Sequence, residues 1–480
     1  MERGVERGTG RGTERRTGRG VERGTGRGVE NEREHGRAMD DYRVIADGLA
    51  ADIAAGRIRP GEQLPPQRRF ARRRGIATST AARVYQELIR RGLAVGEVGR
   101  GTFVRAAPPA AEPALAEPGD ARVDLELNFA VLPEQPALLA QGLERLLRPD
   151  QLGASLRPMT AAGTPTARRA AASLLARSGW EPDPRHLLFA GSGRQAIAAA
   201  IAALVPPGER LGVETLTYPL VKGIATRLGV TLVPLAMDDD GLLPAALTAA
   251  PPLRAVYLQP TLHNPLGITL PDARRAELAA LLDQRDMYAI EDGIYGFLRP
   301  DQPPLAALAP GRAMVIDSLS KRLAPGLTLG FLATPAELTA KVATALRSGA
   351  WLASRFALEA ATQWMSDGTA DEIERAKRQD AAVRQRITAE RLAGFRVRAD
   401  PAAYHCWWEL PEPWRAETFV AAAARRGISV TPAGAFAIGP GHAPNAVRLA
   451  LSAPPTDALA HALDVLAELA RGTPEDAGWD

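Results

Sequence analysis

The chain has 480 residues and a formal net charge of +4, and 46% of its residues are hydrophobic. This composition is typical of a globular protein, and the length exceeds that of one typical domain. The single cysteine, Cys406, excludes a disulfide framework and favours a reducing compartment, so we expect a cytoplasmic protein. No apolar run approaches the length of a membrane span, and the N-terminus is charged from its second residue, unlike a secretory signal.

Composition divides the chain into five predicted parts. They are a disordered Arg/Gly/Glu arm (1–40), a basic module (41–105), an Ala/Pro/Glu linker (106–122), a large α/β domain (123–470) and a flexible tail (471–480). Residues 42–104 hold twelve arginines and five acidic residues, a net charge of +7. A basic module of this size beside a mildly acidic body predicts nucleic-acid binding.

The basic module predicts three helices and two short strands. Apolar residues recur every four positions from Ile45 to Ile53, a second helix ends at Gly75, and a third begins at Thr78. The strands flank the turn Gly99–Gly101. This order predicts a winged helix-turn-helix, in which the third helix enters the major groove of DNA. A solvated basic helical domain is the alternative, and the arginine excess disfavours it.

The module resembles the GntR-type winged helix family. The resemblance depends on Leu64–Arg68, on the helix from Ile76 to Leu88, and on the wing Gly99–Val104. The family often has arginine where this chain has Thr78, so its base preference does not transfer. The resemblance implies that the DNA-contacting residues are Arg68, Thr78, Ser79, Thr80, Arg83 and Arg100.

From Val123 onward, apolar strands alternate with helical patterns, which predicts an α/β domain with a mainly parallel sheet. The strand Leu187–Ala190 is followed by Gly191–Ala196, which opens a helix. Backbone N–H groups at such a helix start bind phosphate. A dinucleotide fingerprint is the local alternative, because Glu214 lies near the place expected for a ribose ligand.

Four polar residues then follow strands in turn. Tyr218 precedes a proline and could stack on a planar ring, and Asn264 could bond a phenolic oxygen. Asp292 ends the strand Tyr288–Asp292, and Tyr295 lies three residues beyond. A buried carboxylate such as Asp292 would hold a pyridine nitrogen protonated. Each residue alone also fits a structural role, so the prediction depends on their joint order.

Lys321 follows the apolar run Met314–Ile316 and the hydroxyl residues Ser318 and Ser320. Burial of an ammonium is costly, so such a lysine can have a lowered pKa and attack carbonyls as a Schiff-base nucleophile. Hydroxyl groups beside it would bind phosphate. A lysine imine beside phosphate donors is what pyridoxal 5′-phosphate (PLP) requires. A surface lysine after an edge strand is the alternative.

The order of these features along the chain, from the helix start at Gly193 to Lys321, resembles that of the fold type I PLP aminotransferases. The resemblance covers Val123–Ala470. The resemblance implies that Lys321 forms the internal aldimine, Asp292 pairs with the pyridinium nitrogen, and Tyr218 stacks on the ring. It implies that Arg448, in Ala446–Ala450, grips a substrate carboxylate. The implied contacts to the ring oxygen are Asn264 and Tyr295, and those to the phosphate are Gly193, Arg194, Ser318 and Ser320.

Two departures from the aminotransferase pattern concern the phosphate. The family usually has an arginine seven residues after the lysine, where this chain has Thr328. Arg322, directly after the lysine, is the predicted substitute. A tyrosine that usually reaches the phosphate of the partner subunit is absent from Arg157–Gly163.

The two halves together resemble the MocR subfamily of bacterial transcription regulators. The resemblance implies a homodimeric regulator that binds operator DNA and responds through Lys321 to an amino compound or to PLP itself. A working aminotransferase with an appended DNA-binding module is the alternative from another class. A nicotinamide-dependent enzyme is a third hypothesis, but it leaves Lys321 and its companion residues unexplained.

Overall fold

The computed structural model describes residues 42, 44–53, 57–58, 62–90, 93–97, 101–104, 121–438 and 443–474. The chain divides into two compact units, one up to Ala111 and one from Glu112. The predicted arm, most of the predicted linker, and Arg100 lie outside the described residues. None of the helices in the described ranges is long and apolar enough to cross a membrane.

The first unit contains three helices and a hairpin. In chain order these are α1 (residues 44–53), α2 (Gln67–Arg74), α3 (Thr78–Arg90), β1 (Ala94–Glu97) and β2 (Gly101–Val104). The two strands pair antiparallel, as a wing requires. Gly75 ends α2 with a φ of 65°, a left-handed conformation that glycine adopts without steric cost.

The core of the first unit takes residues from all three helices and from the hairpin. Phe70, Val84 and Leu88 are buried, as their spacing predicts. The structure adds Tyr85, which packs against Phe70 with 5.3 Å between ring centroids. Its hydroxyl donates a 2.5 Å hydrogen bond to the carbonyl oxygen of Pro65, so α3 is tied to the turn that precedes α2. The predicted winged helix-turn-helix is confirmed.

The second unit has a seven-stranded and a five-stranded sheet. The spatial order of the first is β4 (Leu187–Ala190), β12 (Gly330–Ala333), β11 (Ala313–Ser318), β10 (Tyr288–Asp292), β9 (Ala255–Leu258), β5 (Arg210–Glu214) and β6 (Thr231–Leu235). Only β12 runs antiparallel to its neighbours, so the predicted mainly parallel sheet is confirmed.

The five-stranded sheet is mostly antiparallel. Its spatial order is β13 (Arg396–Ala399), β14 (His405–Glu409), β16 (Ala446–Ala450), β15 (Ile428–Pro432) and β3 (Val123–Leu125). A separate hairpin pairs β7 (Met237–Asp238) with β8 (Gly241–Leu242).

Helices cover both faces of the seven-stranded sheet. The α-helices described in the second unit, not all of which contact this sheet, are α4 (Gln135–Leu146), α5 (Pro149–Ser155), α6 (Pro165–Leu175), α7 (Gly193–Leu204), α8 (Leu220–Leu228), α9 (Pro244–Ala249), α10 (Asp272–Gln284), α11 (Leu319–Arg322), α12 (Thr339–Ser348), α13 (Arg355–Ser366), α14 (Thr369–Arg391), α15 (Ala416–Arg425) and α16 (Thr456–Arg471). Leu187 and Phe189 of β4 pack in one core cluster, and Leu188 and Ala190 pack in another. This alternation explains the continuous apolar runs of the strands.

The topology places several strand ends at one edge of the sheet. Strands β4, β5, β9, β10 and β11 run in the same direction, so their carboxyl ends share that edge. In open α/β sheets, ligands bind in the crevice outside this edge. The predicted site residues at strand ends therefore meet in one place.

Candidate functional site

Lys321 lies in α11, one short turn after the end of β11, and its side chain is half-buried. Its Nζ donates a hydrogen bond to the carbonyl oxygen of Asn128 and lies 3.5 Å from the ring centroid of Phe129. Burial lowers the pKa of Lys321 well below its ordinary value of 10.5. A lysine amine that loses its proton readily is the nucleophile that imine formation needs.

The electrostatic environment of Lys321 identifies its neighbours. After burial, nearby cations lower the pKa of Lys321 further, and a carboxylate opposes them. The cations are Arg448, Lys377 and Arg194, and the carboxylate is Asp292. The structure thus brings together residues that lie far apart in sequence. The excess of positive charge favours an anionic ligand, such as a phosphate or a carboxylate.

The chain has four lysines, Lys222, Lys321, Lys341 and Lys377. Lys377 is fully buried, and its Nζ donates hydrogen bonds to the carbonyl oxygens of Ala130, Lys321 and Leu323. These three carbonyl oxygens take up the N–H donors of the Lys377 amine. Lys321 is therefore the lysine of this site that suits a covalent bond to a cofactor.

Asp292 ends β10 and is buried. The Tyr257 hydroxyl donates a 2.5 Å hydrogen bond to its Oδ2, and Gln259 Nε2 donates one of 3.0 Å to the same oxygen. Burial raises the pKa of Asp292 from 3.8 to about 6, and these donors oppose the rise. A carboxylate fixed in this way would pair with a pyridinium nitrogen.

Two buried asparagine side chains lie beside the lysine site. Asn128 Nδ2 donates a 3.0 Å hydrogen bond to the Tyr295 hydroxyl. The side-chain oxygens of Asn128 and Asn264 are buried and have no hydrogen-bond partner among the described residues. Buried polar atoms are normally paired, so orphaned atoms at a site indicate room for a polar ligand. Both unpaired atoms are acceptors, so a ligand hydroxyl such as a phenolic O–H could donate to either of them.

The start of α7 faces the end of β11 and forms a cradle. Ser192 caps the helix, and its hydroxyl accepts a hydrogen bond from Gln195 N. A Cβ at Gly193 would lie 3.1 Å from the Oγ of Ser318, so glycine keeps the helix start open there. Ser318 Oγ and Ser320 Oγ are 2.6 Å apart. Two hydroxyls beside free N–H groups of a helix start fit a phosphate.

Arg194 and Tyr218 flank the cradle. Arg194 is exposed in the first turn of α7, and Tyr218 is half-buried after β5. Burial raises the pKa of Tyr218, and a hydrogen bond with Arg194 opposes that rise. The two side chains are therefore in contact. Arg194 also lowers the pKa of Lys321, so it lies near that lysine as well. A cofactor contact by either side chain stays a prediction.

The prediction that Arg322 binds the phosphate is wrong. Its guanidinium is buried and pairs with Asp317 at 2.7 Å and with Glu374 at 2.5 Å. It also donates a 3.3 Å hydrogen bond to the Leu174 carbonyl oxygen. These partners consume its donors, so Arg322 stabilises the turn that carries Lys321 instead of substituting for the arginine that Thr328 replaces.

Arg448 lies on β16, an interior strand of the five-stranded sheet. Its Nη2 donates hydrogen bonds of 2.6 Å to the Glu126 carbonyl oxygen and 2.8 Å to Thr431 Oγ1. Its guanidinium carbon lies 5.3 Å from the ring centroid of Phe436. Arg448 is therefore a buried residue of an interior strand. A buried guanidinium with neutral acceptors is suited to a carboxylate ligand.

The dinucleotide alternative does not fit the geometry around Glu214. This side chain is buried at the end of β5, where it accepts a 3.0 Å hydrogen bond from Gln259 N. Its other neighbour is His263, whose Nε2 is 3.2 Å from Glu214 Oε2. Glu214 therefore braces the turn before Asn264 and does not face a ribose.

The predicted DNA contacts lie on α2 and α3 of the first unit. Arg68, Thr78, Ser79 and Arg83 are exposed, and Thr80 is half-buried. Thr78 is the first residue of α3, so Ser79 and Thr80 also lie in the first turn of this helix. The N-terminal residues of a recognition helix are the ones that contact base edges.

Sequence reasoning missed four residues that support the site: Asn128, Tyr257, Gln259 and Lys377. Tyr257 and Gln259 are two apart near the carboxyl end of β9, so alternation of side chains along a strand could have paired them. Asn128 and Lys377 carry no local signal, because folding alone brings them to Lys321.

Residues 152–466 match the family described as aminotransferase class I and II, and residues 41–104 match the bacterial regulatory proteins of the gntR family. The uncharacterized HTH-type transcriptional regulator YdeF of Bacillus subtilis is 30% identical over 86% of this chain and 91% of its own length. The vitamin B6 salvage pathway transcriptional repressor PtsJ of Salmonella typhimurium is 27% identical over 85% of this chain and 93% of its own.

Among solved structures, the second unit resembles the kynurenine aminotransferase of Pyrococcus horikoshii. The TM-score is 0.67 at 21% identity, over 74% of this chain and 91% of that one. At this identity the likeness shows the aminotransferase fold. Together with the two family matches, it confirms the fold class predicted from the sequence.

Proposed function

Because the chain belongs to the aminotransferase class I and II family and carries a gntR-family domain, as MocR regulators do, we propose that it is a PLP-dependent transcription regulator. The first unit binds operator DNA, and the second senses an amino compound or PLP through an imine bond to Lys321. Its place of action is the cytoplasm. The observation that carries this proposal is the half-buried Lys321, with its lowered pKa, in a chain that also holds a winged helix.

The described residues fit the cofactor in chemistry and in placement. Asp292 would accept a hydrogen bond from the pyridinium N–H and so keep that nitrogen protonated. The hydroxyls of Ser318 and Ser320 with the start of α7 would bind the phosphate. Bound there, PLP supplies an aldehyde that reacts with amines and a ring that withdraws electrons. Arg448 would hold the carboxylate of an amino-acid effector.

A homodimer is part of the proposal. Three large apolar side chains are exposed near helices that contact one another, α4, α5 and α13. Leu147 is 63% exposed, Leu156 is 79% exposed and Phe356 is 45% exposed. Exposed apolar residues grouped in this way favour a protein interface. A dimer would place two winged helices on two half-sites of an operator.

A working aminotransferase remains the second candidate, since Lys321, Asp292 and Arg448 are all present and converge. The variant Lys321→Ala separates the two candidates. A regulator keeps its DNA affinity in the absence of PLP and loses only the response to PLP, measured by fluorescence anisotropy on promoter DNA. A regulator of the proposed kind is excluded if wild-type DNA affinity is the same with and without PLP and amino acids.

A further inference from the structure

The segment 126–130 connects β3 to the turn before α4 and carries a regular pattern of acceptors. Its alternate carbonyl oxygens, those of Glu126, Asn128 and Ala130, accept hydrogen bonds from Arg448, Lys321 and Lys377 respectively. This segment, which we call the strap, therefore contacts three basic side chains through its backbone.

Two of these basic side chains are the ones that the proposed function requires. An imine nitrogen of Lys321 would keep at most one N–H group, so a bond to a cofactor competes with the hydrogen bond to the Asn128 carbonyl oxygen. Nη2 of Arg448 already donates to the Glu126 carbonyl oxygen and to Thr431 Oγ1, so a carboxylate bound through Nη2 would displace one of these contacts. Each ligand can therefore compete with a strap carbonyl for its donor, and carbonyls left unpaired away from water are unfavourable.

Lys377 has a different role, because neither ligand needs it. Its Nζ joins Ala130 of the strap to the carbonyl oxygens of Lys321 and Leu323 on the turn that carries the cofactor lysine. It is fully buried on α14. A second contact supports the same junction, since Gln135 Nε2 donates a 2.9 Å hydrogen bond to Leu323 O.

We propose that the strap competes with the cofactor for Lys321 and with a ligand carboxylate for Arg448. Lys377 is the positioning residue that holds the strap against the turn that carries Lys321. This inference rests on the proposed function and specifies how the site is regulated. Along the sequence, the strap follows β3 and the predicted linker from the DNA-binding unit. Displacement of the strap by ligands is thus a direct route from the site to the linker.

Hydrogen–deuterium exchange of the full-length protein tests this inference. The N–H groups of Glu126 and Leu127 bond to Asp124 Oδ1 at 2.7 Å and 2.9 Å, so they report loosening of the strap. Addition of PLP should accelerate exchange in residues 126–130 by about tenfold, while the core strand β10 stays unchanged. Unchanged or slower exchange in the strap would overturn the inference.

Variants of Lys377 test its positioning role without the cofactor. Lys377→Met, which keeps the length but removes the donors, should give the fast strap exchange in the absence of PLP. Lys377→Arg should restore slow exchange, and Lys341→Met, at an exposed lysine, should match the wild type. Wild-type exchange in Lys377→Met would contradict the role.

Borohydride reduction followed by peptide mass spectrometry separates this inference from the proposed function. If PLP modifies Lys321 and strap exchange does not rise, only the strap inference fails. If PLP leaves Lys321 unmodified, the proposed function fails and the strap inference fails with it.

Discussion

The Tyr257 hydroxyl donates a 2.5 Å hydrogen bond to Asp292 Oδ2, and both side chains are buried. The donor lies on β9 and the acceptor on β10, two adjacent parallel strands of the large sheet. The bond fixes the carboxylate in the position from which it would pair with a pyridinium nitrogen. The sheet itself therefore orients the carboxylate that we propose as the partner of the cofactor ring.

We expect Tyr257→Phe to weaken PLP binding by about tenfold, because a hydrogen bond to a charged group contributes about 1.5–3 kcal/mol. Loss of this donor also raises the pKa of Asp292 above about 6, so the weakening should grow as the pH falls. Absorbance titration with PLP between about pH 5 and about pH 8 measures both effects, because this range spans the pKa of about 6.

Tyr288→Phe is the matched control for this substitution. Tyr288 begins β10, and its hydroxyl donates to Glu337 instead of to the site. Its removal should leave the PLP affinity at the wild-type value. Equal affinities for Tyr257→Phe and Tyr288→Phe would show that the Tyr257 bond does not orient Asp292.

Asp292→Asn should stabilise the cofactor-free protein at pH 7 and at the same time weaken PLP binding. Burial raises the pKa of Asp292 from 3.8 to about 6, so its stabilising contribution is complete below pH 3.8 and is lost as the pH rises through 6. At neutral pH the buried charge therefore costs up to about 3 kcal/mol, which asparagine avoids.

Urea denaturation at pH 7 and at pH 4 measures this effect. The free energy of unfolding of Asp292→Asn should exceed that of the wild type by about 1–3 kcal/mol at pH 7 and by much less at pH 4. The PLP affinity of the variant should fall by at least about tenfold at pH 7. A variant that is less stable than the wild type at pH 7 would contradict the burial argument.

Replacement of Arg322 should lower the stability of the protein, whereas replacement of Arg194 should lower its PLP affinity. Arg322→Met leaves Asp317 and Glu374 buried without their cation, and breaking a buried pair costs about 3–5 kcal/mol of stability. Arg194→Ala removes an exposed side chain at the phosphate cradle and should lower PLP affinity with stability unchanged. Thermal unfolding and PLP titration of both variants distinguish these roles, and a stable Arg322→Met would refute the first.

Arg68→Ala and Arg83→Ala should weaken DNA binding and leave PLP binding intact. If each arginine contacts a phosphate, its loss should reduce the slope of log K against log salt by about 1. Arg57→Ala is the control, because Arg57 is an exposed arginine of the same unit that pairs with Asp52. Fluorescence anisotropy with duplex DNA measures the slopes, and identical slopes for all three variants would exclude these contacts.

Local patterns in the sequence predicted the residues that stand at strand ends. Asp292, Lys321 and Asn264 follow apolar runs, and parallel strands place their carboxyl ends at one edge, so the site follows from the strand pattern. The start of α7 at Gly193 follows from the glycine and serine residues after β4 in the same way.

The residues that were missed, or given the wrong role, from the sequence depend on long-range packing. Arg322 follows Lys321 directly, yet it pairs with Glu374 on a helix fifty-two positions away. Lys377 lies 56 positions after Lys321 and Asn128 lies 193 positions before it. Buried charges are stable only with partners, but the sequence does not say which partners the fold supplies.

The measurement that tests the account most directly is borohydride reduction of the PLP-treated protein, followed by mass spectrometry of all lysine peptides. The chain has only four lysines, so the assignment is complete. The account predicts a visible absorbance band that borohydride removes and a pyridoxyl adduct on Lys321 alone, absent from Lys377. A protein that remains colourless with every lysine unmodified would contradict the account.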